Sequence, residues 1–109
     1  MPTSLPATLA RYVAAQNAHD AEAVAACFAP GATVHDEHRD HVGHEAIRAW
    51  VDDTSRRYGV TMEPLVLKRE NEQQVLTAKV SGSFPGSPAT LTFRFRLDAE
   101  QRIAALEIG

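Results

Sequence analysis

The chain has one cysteine, one tryptophan and six glycines in 109 residues, and each scarcity excludes something. A lone Cys27 permits no internal disulfide, and its apolar flanks Ala25, Ala26 and Phe28 point to a packed thiol. No apolar run approaches the ~18 residues of a membrane span. Residues 1–17 lack a basic segment followed by an unbroken apolar stretch, so no secretory leader is expected and the cytoplasm is the expected location. Positive charge is scarce too. A net charge of −3 offers no basic field for phosphates, which argues against nucleic acid as a partner. Internal repeats, linkers and low-complexity segments are also missing. What remains is ordinary globular material, 44% hydrophobic and 23% charged, enough for one domain over residues 1–109.

Local patterns divide the chain into a helical half and a strand half. Leu9, Tyr12, Val13 and Gln16 recur at helical spacing between Pro6 and Asn17. Asp20 suits the cap of a second helix, Ala21 to Phe28, which Ala29-Pro30-Gly31 should stop. A short strand, Ala32 to Asp36, runs into a polar stretch from Glu37 to Val42. Gly43 opens a third helix, from about His44 to Tyr58, with Ile47, Trp50 and Val51 on one face, and Gly59 ends it.

Strands are expected from there on: Thr61 to Arg69, Val75 to Phe84, Ala89 to Leu97 and Arg102 to Ile108. The third of these alternates Leu91, Phe93, Phe95 and Leu97 against Thr90, Thr92, Arg94 and Arg96. Such short connections require antiparallel pairing. One apolar sheet face must then be buried against the helices. The expected fold class is α+β, a cone-shaped barrel of three N-terminal helices packed on a strongly curved, mostly antiparallel sheet.

Two clusters invite a chemical reading. His35, His38, His41 and His44 alternate with Asp36, Glu37, Asp40 and Glu45. Imidazole and carboxylate are metal ligands, but spacing by threes along a loop does not force convergence. The expectation is therefore a solvated polar loop, with a histidine such as His35 at a pocket mouth, and no metal or other cofactor. Phe28, Trp50, Met62, Phe84, Phe93 and Phe95 form the bulky apolar set. They serve either as a dense core or as the lining of a cavity.

Three stretches carry a family likeness: 11–20 (RYVAAQNAHD), 28–36 (FAPGATVHD) and 43–48 (GHEAIR). They resemble the nuclear transport factor 2-like superfamily, and within it the Δ5-3-ketosteroid isomerases and SnoaL-like polyketide cyclases. The motif-bearing part runs from Leu9 to about Tyr58. The resemblance implies a cavity for a hydrophobic small molecule, lined by Phe28, His35, Trp50, Met62, Phe84, Phe93 and Phe95. It implies Asp36 as general base and Tyr12 as donor to an enolate oxygen, the pairing by which such enzymes isomerise or cyclise ketones. Each residue also has a structural alternative. Asp36 reads equally as a solvated strand-end carboxylate, and Tyr12 as helix core.

The family's second oxyanion donor, an acid on the third strand of the meander, has no counterpart in Leu91-Thr92-Phe93-Arg94-Phe95. Its supporting tyrosine on the third helix is replaced near Val51, and the proline after the base is Glu37. A non-catalytic binding or homodimerisation domain of the same fold is therefore the alternative to an isomerase or cyclase. The outer Thr/Arg face is the one such proteins often use for homodimers.

Overall fold

A computed structural model describes residues 5–109. Helix α1 (Ala7–Asn17) starts just after Pro6, whose carbonyl accepts the Ala10 amide at 2.9 Å. Its buried stripe of Thr8, Leu9, Tyr12, Val13, Ala15 and Gln16 follows the helical period. Helix α2 (Ala21–Ala26) is capped by Asp20, whose carboxylate accepts from the Ala23 amide at 3.1 Å.

Here the expected boundary fails. Phe28 does not end α2 but opens strand β1 (Phe28–Asp36), because it pairs in parallel with Ile103 and the Cys27 carbonyl accepts from the Ile103 amide at 2.9 Å. Pro30 and Gly31 produce a register shift within β1 rather than a stop.

The stretch 37–42 is also more ordered than expected. Strand β2 (Arg39–Val42) folds back on β1 through a two-residue turn. Glu37 and His38 both take positive φ, 53° and 64°, as a tight hairpin of this hand requires. The usual Asn-Gly signal is missing, so the turn was invisible in the sequence. Helix α3 (His44–Tyr58) keeps its expected limits, between Gly43 at φ 88° and the left-handed Gly59.

The remaining strands are β3 (Thr61–Glu70), β4 (Gln73–Ser81), β5 (Ala89–Leu97) and β6 (Ile103–Ile108). They join the hairpin in one sheet of order β2-β1-β6-β5-β4-β3, antiparallel throughout except for β1 beside β6. The sheet is curved and unclosed, with the three helices packed on it. Strand β4 ends earlier than its apolar alternation suggests. At Gly82 the chain passes so close to α3 that an added Cβ would lie 2.7 Å from the Tyr58 carbonyl oxygen. That oxygen accepts from the Ser83 amide at 2.8 Å, so the strand leaves the ladder to clasp the end of α3.

Candidate functional site

The helices and the sheet do not fill the space between them. A cavity of about 340 Å³ remains, at the small end of the ~300–1,000 Å³ range of ligand pockets. Helix α1 contributes Tyr12 and Gln16, one turn apart on its buried face. Helix α3 contributes Trp50, Thr54 and Tyr58 at intervals of four residues. The floor is apolar, from Met62, Val80, Leu91, Phe93 and Ile108, with Val60, Phe84 and Ala89 completing the wall. Asp36 and Glu37 reach it from the end of β1 and the hairpin turn.

Asp36 is held in place. The Trp50 indole donates to its Oδ2 at 3.0 Å, and the His41 ring lies against the indole with centroids 5.9 Å apart. The Thr54 hydroxyl donates to the Trp50 carbonyl at 3.0 Å, bracing the turn of α3 that carries the indole. Tyr12 is almost wholly buried, its ring edge-on to Phe95 at 5.3 Å and to Phe28 at 6.1 Å. Burial, then the negative charge of Asp36 and then Cys27, push the Tyr12 phenol far above its ordinary range. It is therefore a neutral hydrogen-bond donor at every working pH. Burial likewise pushes the Cys27 thiol up, against a smaller opposing effect of Arg11, and its Sγ donates to the Ala23 carbonyl.

The cavity edge carries charge. Glu37 pairs with Arg57 at 3.7 Å, and the same guanidinium pairs with Asp53 at 3.0 Å and lies 4.7 Å from the centre of the Tyr58 ring. These groups are exposed, so each pair contributes little to stability.

Of the residues expected at a site, Tyr12, Asp36, Trp50, Met62, Phe84 and Phe93 line this cavity. Phe28 and Phe95 do not. They are 1% and 0% exposed and pack against Tyr12 from the core side. His35 does not either. It alternates with Asp36 along β1, so it points to the other sheet face, where Nδ1 sits 2.6 Å from Asp40 Oδ1. The four histidines disperse: His44 donates to the Phe28 carbonyl at 2.8 Å, and His41 packs on Trp50. Among the described residues no three His, Cys, Asp or Glu side chains converge as metal ligands would.

Gln16, Thr54 and Tyr58 were not expected at the site, although four-residue spacing from Tyr12 and Trp50 was available to find them. Glu37 had no such signal, because only the hairpin turn brings it there.

An apolar cavity between three helices and a curved sheet, with a carboxylate and a buried phenol in its wall, defines a class of small pocket-bearing α+β proteins. Residues 9–106 match the family model of the SnoaL-like domain, and the chain belongs to that family. A candidate polyketide cyclase of Sinorhizobium meliloti is 39% identical, covering 96% of this chain and 95% of its own at a TM-score of 0.91. A Catenulispora acidiphila protein with a ketosteroid isomerase-like fold, solved with trimethylamine, is 18% identical over 97% of this chain and 86% of its own, at a TM-score of 0.84. SalBIII, an epoxide hydrolase/cyclase-like enzyme in pyran ring formation in the polyether salinomycin, is 20% identical over 93% of this chain and 85% of its own, at 0.79. The last two likenesses are of fold alone. No curated protein matches the chain. Among the described residues no helix is long and apolar enough to cross a membrane.

Proposed function

We propose that the protein catalyses proton transfer on a small hydrophobic ketone, leading to isomerisation or ring closure. The observation that carries this reading is that Asp36 and Tyr12 line the same cavity. Asp36, aimed by the Trp50 N–H, takes the proton from the carbon beside the carbonyl. The electron pair moves onto the ketone oxygen, where the Tyr12 hydroxyl donates a hydrogen bond to the developing enolate. In a β,γ-unsaturated ketone the conjugated enolate takes the proton back from Asp36 at its γ carbon. In a substrate with a second carbonyl the enolate carbon bonds to that carbonyl carbon, and Asp36 returns its proton to the alkoxide that forms. The apolar floor of Leu91, Phe93 and Ile108 excludes water from that oxygen. The description of the Sinorhizobium meliloti relative as a candidate polyketide cyclase agrees with the second outcome. The exposed Thr90 and Arg96 of the outer sheet face are the surface this reading reserves for a second copy.

One observation favours a binding-only reading instead. Of the stretch Leu91–Phe95 only Leu91 and Phe93 line the cavity, and both present hydrocarbon on the strand where the family resemblance implies a second oxyanion donor. Deuterium exchange into 2-tetralone, a bicyclic enolisable ketone, separates the two. Wild type should accelerate exchange, Asp36→Asn should lose ~10²–10⁴-fold, and Tyr12→Phe ~10²–10³-fold. Light scattering on the same sample should give about twice 11.9 kDa. Binding of 2-tetralone with no acceleration by wild type would leave the binding-only reading standing.

A further inference from the structure

Gln16 is 5% exposed, lines the cavity, and has an Oε1 that is shut off from solvent with no hydrogen-bond partner. An unpaired buried polar atom costs about 1–3 kcal/mol, so a leucine or methionine would serve the core better here. Its sequence neighbour shows what a structural amide does. Asn17 Nδ2 donates to the Met62 carbonyl at 3.0 Å and Oδ1 accepts from the Met62 amide at 2.7 Å. That two-pronged clasp fixes the end of α1 against β3, and with it the placement of Gln16. Gln16 itself is not used this way. Ser55 Oγ is the other buried side-chain atom without a partner among the described residues, but Ser55 does not line the cavity.

We infer that Gln16 is a specificity residue which binds a hydroxyl group on the ligand, one helical turn along α1 from the ketone oxygen at Tyr12. A hydroxyl suits the site because it can donate to an amide oxygen or accept from an amide N–H, so whichever end of the amide turns to the cavity is satisfied. Side chains at this spacing start ~5–6 Å apart, so the ligand carries its two oxygens on one compact ring system. The acceptor class is thus a hydroxy-ketone rather than a plain hydrocarbon ketone. This deepens the proton-transfer reading and rests on it for the ketone end. The hydroxyl end rests on Gln16 alone. Neither the lining carboxylates Asp36 and Glu37 nor the exposed Arg57 pairs with Gln16.

Trp50 is the only tryptophan and lines the cavity, so its fluorescence reads occupancy directly. The probes are 2-tetralone and its ring-hydroxylated isomers. At least one isomer should bind wild type ~10-fold more tightly than the parent, the size of one well-made buried hydrogen bond. Gln16→Leu and the isosteric Gln16→Met should both abolish that preference and bind the parent at least as well as wild type does. The Met variant guards against misfolding of the Leu variant, and thermal unfolding of each checks it. No preference in wild type, or a preference that survives in both variants, overturns the assignment. Wild type, read in both assays, separates the two proposals. Hydroxyl preference without any exchange catalysis by wild type sinks proton transfer alone, whereas exchange catalysis without hydroxyl preference sinks the Gln16 assignment alone. Asp36→Asn should lose the exchange and keep the preference.

Discussion

Phe93 and Phe95 lie two residues apart on the same face of β5, their rings stacked 6.4 Å apart, yet one closes a core and the other walls a void. Over Phe95 stands Tyr12, whose ring edge packs on it and on Phe28, and nothing is left exposed. Phe93 instead lines the cavity together with Trp50, Thr54 and Met62. Tyr12 is the partition, with its ring belonging to the filled half and its surface to the hollow one. Strand alternation therefore decides which face a residue takes, and the distance between the layers decides whether that face is filled.

The most forceful way to break this comparison is to truncate both rings. Phe95→Ala should cost about 3–5 kcal/mol in urea unfolding, as expected where every ring atom has a packing partner. Phe93→Ala should cost clearly less, because part of its ring already faces empty space and has fewer contacts to lose. Equal losses would mean that the two halves are packed alike.

The partition itself gives a second, smaller effect. Because the folded state holds the Tyr12 phenol above its ordinary value of 10.0, its contribution is fully present below pH 10 and is lost as pH rises further, when the unfolded chain ionises first. Comparing wild type with Tyr12→Phe between pH 8 and pH 11 isolates it. Wild type should lose about 1 kcal/mol more than the variant by pH 11. Parallel curves would show that Tyr12 is not sealed inside the filled half.

The smallest effect belongs to the far face of the sheet. His35→Ala removes an exposed pairing with Asp40 and should shift stability by no more than about 0.5 kcal/mol. Binding of 2-tetralone, read through Trp50, should not change. A weakened affinity would connect the outer face to the cavity and undo the separation drawn between them.

Much of this was legible beforehand, and the failures share a cause. Helix α3, expected from about His44 to Tyr58, could be bounded closely because glycines at 43 and 59 mark both ends by backbone freedom alone. The alternation of β5 was equally local. The limits of α2 and β1 were not, because Phe28 is claimed by Ile103, far along the chain, in the sheet's one parallel pairing. The β2 hairpin escaped because Glu37 and His38 accept positive φ without the residues that usually announce it. At the site, Asp36 and Tyr12 were named from the sequence, but Phe28, Phe95 and His35 were grouped with them on residue type. Apolar character does not say whether a ring faces a neighbour or a gap.

By itself, then, the sequence determined the order of the three helices and of every strand but β2, and the apolar face of the sheet, since each follows from spacing within a few residues. The pair of polar groups worth watching came from its likeness to a known family. Only the tertiary structure decided that Tyr12 divides a filled half from a hollow one, that Trp50 aims Asp36, and that Gln16, in the cavity wall, keeps a buried amide oxygen without a partner. Those facts depend on how far α1 and α3 stand from the sheet, and that distance is set jointly by side chains from all three layers of contact rather than by any one segment.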